Sequence, residues 1–218
     1  VSTRLIGALI MVHGDDKGLR LPPNIAPIQI VFIPIYKSEE DLTKIKNYLD
    51  SILTYCENNN IRYKLDDRKK LSPGYKFNEW EMKGVPLRIE VGPRDLSNGN
   101  ITIVRRDNSE KIVEKIDSIE LKLINMLKNI QDTLFNHALK FHNKNTHQVQ
   151  SYKEFQSIIN KGGFIKCGWD GNAETEAKIK SETNATIRCI PMEQNIENLN
   201  CIYSNIPAKY QVIFAKAY

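Results

Sequence analysis

"IQIVFIPI", residues Ile28–Ile35, is an apolar run, interrupted only by Gln29 and dominated by side chains branched at Cβ. Eight residues are few for a helix, and β-branching favours the extended chain. The run therefore reads as a central strand buried on both faces. Upstream, "RLPPNIAP" (Arg20–Pro27) holds three prolines. It reads as an extended linker, since proline lacks the amide hydrogen that a regular interior needs. Downstream, Ser38 followed by Glu39, Glu40 and Asp41 is a helix start with acids at the positive end of the dipole. Leu42, Ile45, Leu49, Ile52, Leu53 and Cys56 keep helical spacing until "ENNN" (Glu57–Asn60) stops it. Ile61–Leu65 is a short strand, and Ser72-Pro73 opens a second helix through about Lys83. "VPLRIEVG" (Val85–Gly92) alternates as a half-buried strand does. With "DLSNGN" (Asp95–Asn100) as a turn and "ITIVRRD" (Ile101–Asp107) as the next strand, it reads as a hairpin. This order of elements predicts an α/β domain, a mixed sheet with flanking helices.

The flanks are different. Residues Leu5–Val12 are almost all apolar and read as a buried helix ended by His13-Gly14. After the sheet, a long helix from about Ser118 to Phe141 keeps an apolar stripe at Leu123, Leu127, Ile130, Leu134, Ala138 and Phe141. "THQVQSYKEF" (Thr146–Phe155) breaks it and begins a short helix. "GGFIKCGW", "ATIRCIPM" and "KYQVIFAKAY" read as strands and "AETEAKIKSET" as a helix, which makes a smaller α+β domain. The expected divisions are residues 1–26, 27–117 and 118–218.

The 218 residues are 41% hydrophobic and 26% charged, ordinary for a globular chain, with a net charge of +5. That small excess is weak grounds for a polyanionic partner. No apolar run approaches the ~20 residues of a membrane span, so no membrane partner is expected. No signal-peptide pattern opens the chain, so Cys56, Cys167, Cys189 and Cys201 are expected as free thiols, with Cys189 in an apolar strand core. The start at Val1, without Met, suggests a piece of a longer polypeptide.

Four segments carry a family resemblance: "STRLIGALIMVHGDDKGLRLPP" (Ser2–Pro23), "PGYKFNEWEMKGVPLRIEVGPRDL" (Pro73–Leu96), "THQVQSYKEF" and the terminal "FAKAY". Together they resemble the prolyl-tRNA synthetases, class II enzymes of the form found in eukaryotes, archaea and some bacteria. The resemblance implies that residues 1–26 end a catalytic domain, 27–117 form an anticodon-binding domain and 118–218 a C-terminal domain. It implies a cytoplasmic enzyme that activates proline with ATP and magnesium, transfers it to proline tRNA, and dimerises through an upstream catalytic domain. A non-catalytic RNA-binding protein on the same fold is the alternative.

Ser2-Thr3-Arg4 resembles the end of class II motif 3, where a strand delivers an arginine to ATP. A guanidinium fork suits phosphate oxygens, so Ser2, Thr3 and Arg4 are the expected ATP contacts and Arg4 the catalytic one. Within Arg68–Arg94 the residue types suit a guanine. Glu81 and Glu90 can accept from its N1–H and N2–H. Arg68, Lys76, Arg88 and Arg94 can donate to O6 or phosphate, and Phe77 offers a face for stacking. Trp80 reads as helix core, and Arg88 with Glu90 also fits an ion pair. "HGDD" (His13–Asp16) reads as a helix end and hydrated turn. Many family members hold a structural zinc through a C-x4-C and a C-x-C pair. Here Cys167 and Cys201 remain, but Asn172 and Tyr203 stand where their partners belong. Zinc is therefore expected to be absent. The resemblance also implies that the terminal Tyr218 folds back toward the catalytic domain.

Overall fold

The computed structural model describes residues 2–216, so the expectation for Tyr218 lies outside them. The chain forms two compact units, Val1–Asn136 and His137–Tyr218.

The first unit opens with helix α1 (Arg4–His13) and the short pair β1 (Gly14–Asp15) and β2 (Gly18–Leu19). Its sheet is built from β3 (Ile30–Pro34), β4 (Tyr63–Leu65), β5 (Leu87–Val91), β6 (Asn100–Arg105) and β7 (Lys111–Lys115). The spatial order is β4-β3-β5-β6-β7, parallel through β5 and antiparallel thereafter. The helices are α2 (Glu39–Asn58), α3 (Pro73–Met82), α4 (Pro93–Asn98) and α5 (Ile116–Lys144), of which α5 runs on past the first unit. β3 is buried on both faces. Ile30 and Phe32 join the core made with α2 and α5, while Val31 and Ile33 pack with Trp80 and Val85 on the other side. Ser38 caps α2 by accepting from the Asp41 N–H at 3.1 Å. Ser72 caps α3 in the same way through Tyr75, with Pro73 in the first turn.

Several expectations need correcting. The turn expected at Asp95–Asn100 is mostly helix: Pro93 starts α4, the Asp95 carboxylate accepts from the Gly92 N–H, and Gly99 ends it at φ 65°. β5 and β6 still pair antiparallel around it. β7 was not anticipated; a turn through Ser109 at φ 61° brings it beside β6. α1 forms as a helix, but none of its residues is buried, and Met11 is 81% exposed. Arg20–Pro27 is no loose linker. The Arg62 guanidinium donates to the carbonyls of Ala26 (2.9 Å), Pro23 (2.8 Å) and Asn24 (3.3 Å). Ile119, Leu123, Leu127 and Ile130 of α5 lie in the first unit's core, although residues from 118 onward were assigned to the later domain.

The second unit holds β8 (Thr146–Gln148), α6 (Tyr152–Lys161), β9 (Phe164–Trp169), α7 (Ala173–Thr183), β10 (Ala185–Cys189) and β11 (Tyr210–Lys216). Its sheet order is β10-β11-β9-β8. Phe155 meets Phe214 edge-on at 5.3 Å in a core with Ile159, Ile165 and Val212. Cys189 is exposed rather than core. β10 is an edge strand, and its register slips between Ile187 and Cys189.

Candidate nucleic-acid interface

The segment between α3 and β5 is shaped by two glycines. A Cβ on Gly84 (φ +76°) would lie 2.7 Å from Leu19, and one on Gly18 (φ +129°) would lie 2.4 Å from Met82. Only glycine permits this approach, so the β1–β2 pair seats directly on the end of α3. Arg106 fixes it further. Its guanidinium forks onto Asp15 at 2.9 and 2.6 Å and its Nε donates to the Glu81 carbonyl at 2.9 Å. These bonds hold the Asp15 carboxyl down at about 2. Asp15 is thus an ion-pair partner as well as part of the exposed turn that follows α1, where its carboxylate also accepts from the Lys17 N–H at 2.9 Å.

A cleft of about 250 Å³ opens beside this junction. Val31, Trp80, Val85 and Val104 give it apolar surface, and Arg88, Arg105 and Arg106 line it with Lys17 and Lys111. Glu81 is the one acidic residue among the described residues that line it, with Lys17 at 3.3 Å.

The expected base-reading residues fall into three places. Glu81 and Arg88 share the cleft. Arg88 donates to Glu90 at 2.9 Å and lies over the Phe77 ring, 4.5 Å from its centre. Glu90 is only 5% exposed and also takes Lys111 at 3.2 Å, so both of its oxygens have cationic partners within the protein. Phe77 packs against the Val31–Ile33–Trp80 cluster, half-buried beneath Arg88.

Arg68 and Lys76 belong to a second network, centred on Asp66, which is 1% exposed. Arg68 forks onto its carboxylate at 2.8 and 2.7 Å, and Trp80 Nε1 donates to it at 2.7 Å. Lys76 is 2% exposed and donates to the Asp66 carbonyl at 3.0 Å. Burial pushes the Asp66 carboxyl up, but the Arg68 and Trp80 hydrogen bonds outweigh it and hold it at about 2. Burial pulls the Lys76 ammonium down. Arg94 stands apart, exposed in the first turn of α4. Lys17, Arg106 and Lys111 were missed; Lys17 and Arg106 reach Glu81, and Lys111 reaches Glu90, through long-range contacts that leave no local pattern.

Of the residues expected to contact ATP, Ser2 and Thr3 precede α1, and Arg4 is its first, exposed residue.

In the second unit Cys167, in β9, and Cys201, in the segment before β11, are both buried, with an isolated bridge at Gly168–Cys201. Burial and the neighbouring Cys201 push the Cys167 thiol up to about 12. Asn172 caps α7 through the Glu174 N–H at 2.9 Å, and the Tyr203 hydroxyl donates to Glu182 at 3.0 Å. Among the described residues no group of three or more His, Cys, Asp and Glu is placed to hold a metal. Two thiols with these neighbours do not fit a tetrahedral zinc. Between the same two loops lies Asp170. It accepts from the Ser204 hydroxyl (2.7 Å), the Thr175 hydroxyl (2.9 Å) and the Asn172 N–H (3.0 Å).

Comparison with known families bears on both units. A family model described as an anticodon binding domain matches residues 29–132, and one described as prolyl-tRNA synthetase, C-terminal matches 152–218. The class is therefore an anticodon-binding α/β domain carrying a separate α+β domain behind it. Curated relatives over the whole chain are each called proline--tRNA ligase. Those of Amoebophilus asiaticus, Flavobacterium johnsoniae and a Roseiflexus species are 49%, 48% and 42% identical, and the match covers 45%, 44% and 46% of their length. The chain belongs to the prolyl-tRNA synthetase family. It spans a little under half the length of these relatives. Among the described residues no helix is long and apolar enough to cross a membrane.

Proposed function

We propose that this chain is the tRNA-selecting part of a cytoplasmic proline–tRNA ligase, and that its cleft reads a guanine of the anticodon. The observation that carries this is the placement of Glu81 and Arg88 in one cleft. Proline anticodons end in two guanines. Glu81 accepts from N1–H and N2–H while the Arg88 guanidinium donates to O6. The Arg88–Phe77 stack holds that guanidinium flat. Glu90 acts behind it as a positioning residue, since its carboxylate is already taken by Arg88 and Lys111. Arg68 and Lys76 support α3 through Asp66, and Arg94 is free to meet phosphate.

The test is a cycle on binding of an RNA stem-loop bearing the proline anticodon. Glu81→Ala is expected to cost about 1–3 kcal/mol, the scale of one good base-edge contact. It costs far less against a stem-loop whose guanine is already replaced. Equal losses on both RNAs would refute the assignment.

In the longer protein, proline and ATP give prolyl-adenylate and pyrophosphate, and the terminal ribose hydroxyl of the tRNA then attacks the acyl carbon. Arg4 pairs there with phosphate oxygens of the magnesium-bound ATP, with Ser2 and Thr3 beside it. Dimerisation belongs to that longer protein too. Arg4→Ala is expected to lower proline-dependent ATP–pyrophosphate exchange by roughly 10²-fold or more. The second unit works without zinc, its two loops tied by the Asp170 carboxylate.

A further inference from the structure

The cations of the cleft are of two kinds. Arg105 forks onto Asp107 at 3.0 and 2.7 Å, Arg106 forks onto Asp15, and Arg88 bonds Glu90. All three are held by close carboxylates, with side chains 5–16% exposed. Lys17 and Lys111 instead have side chains 61% exposed and single looser partners at 3.3 and 3.2 Å.

Lys17 is the less expected of the two. It lies outside the residues matched as an anticodon-binding domain, which begin at position 29. Yet its base is rigid. Asp15, two residues earlier, is forked by Arg106, and Gly18, next in the chain, is in backbone contact with Met82. A flexible ammonium on a fixed hairpin therefore stands at the mouth of the cleft, resting on its one carboxylate.

We infer that Lys17 is a phosphate-contacting residue of the RNA site. This rests on the reading of the cleft as the guanine site. When N1–H and N2–H of the base take the Glu81 carboxylate, the ammonium is released. It then meets the backbone phosphate flanking that nucleotide. In the free protein the Lys17–Glu81 pair keeps the carboxylate from repelling the approaching phosphates. An ammonium suits this exchange better than a guanidinium, being a compact charge on a flexible stem without a fork to break.

The experiment measures binding of the same stem-loops, proline and guanine-replaced, against salt concentration. Four proteins are compared: the unaltered chain, Lys17→Ala, Glu81→Ala and the double variant. The Lys17→Ala change is expected to lower the slope of log affinity against log salt by about 0.7–1, the signature of one lost phosphate contact. On the proline stem-loop it does so with or without Glu81; on the guanine-replaced stem-loop it does so only when Glu81 is also removed, because the ammonium otherwise stays on that carboxylate. Lys17→Arg keeps the slope, and circular dichroism shows each variant folded. A slope change seen only when Glu81 is present makes Lys17 a mere neutraliser and overturns the inference, as does an unchanged slope. If the slope falls as expected while Glu81→Ala shows no dependence on guanine, the guanine reading fails and Lys17 stands. If Glu81→Ala behaves as expected and the slope does not move, Lys17 alone fails. No binding by the unaltered chain overturns both.

Discussion

Asp66 and Asp170 are both carboxylates that tie distant segments together, one in each unit, but their partners differ in kind. Asp66 is closed from solvent and faces a guanidinium, an indole N–H and a nearby ammonium. Asp170 is only partly buried and takes two hydroxyls and a backbone amide. A charge held by opposite charges in a dry site is strong only as a complete set, because each member left alone keeps its desolvation cost. A charge held by neutral donors loses a bond at a time. The first arrangement also lets basic residues sit close together without mutual repulsion. The second joins two loops and carries no net positive charge to the surface.

The contrast is broken most directly at Asp66. Asp66→Ala strands the Trp80 N–H and leaves Arg68 with Glu79 alone, so it is expected to cost about 3–5 kcal/mol in urea unfolding of the first unit. A loss near 1 kcal/mol would mean that the network relaxes or fills with water. Next in size is the response to acid. The Asp66 carboxyl sits at about 2 in the folded protein. In the unfolded chain it lies near ~3.9. A group lowered by folding contributes fully above the unfolded value and loses that contribution as pH falls through the folded one. The expected loss is roughly 2–3 kcal/mol between about pH 5 and 2. Asp66→Asn should flatten that part of the stability–pH curve, and an unchanged curve counts against the ion-pair account.

Asp170→Ala is expected to cost about 2 kcal/mol, the scale of hydrogen bonds to one ionised group, and only in the second unit. Amide exchange read separately over residues 137–216 checks this. The smallest expected effect is none: a chelator leaves the melting temperature unchanged, and metal analysis finds well under one zinc per chain. Joint replacement of Asn172 and Tyr203 by Cys sharpens the comparison. It supplies the two missing thiolates, so zinc binding should rise toward one per chain and melting should become chelator-sensitive.

Much of this was legible in the sequence where the relevant physics is local. Ile28–Ile35 announced a strand buried on both faces because both of its faces are apolar. Ser38 and Ser72 announced their helices because capping acts within three residues. α4 was misread because Gly92-Pro93 and Gly99 punctuate a short helix with the same residues that punctuate a turn. α1 was expected to be buried because its residues are apolar, but composition does not name what covers a face. The cleft was half visible. Glu81 and Arg88 lie in one quoted stretch, whereas Lys17 reaches them through the close contacts of Gly18 and Gly84, and Arg106 through the pairing of β5 with β6. Glu90 and Lys76 carry the right chemical groups for RNA, and only burial reveals that the protein already uses them.

The Arg62 staple has a further meaning. One guanidinium collects the carbonyls of Pro23, Asn24 and Ala26, all upstream of the residues matched as an anticodon-binding domain. A polypeptide trimmed to begin at Ile28 would keep the shared pattern and lose the cap on its own sheet edge. Arg62 would face water, and the closed socket around Ala26 would stand open. Shared ancestry and mechanical self-sufficiency therefore have different borders here, and anyone excising this module should cut before Leu21.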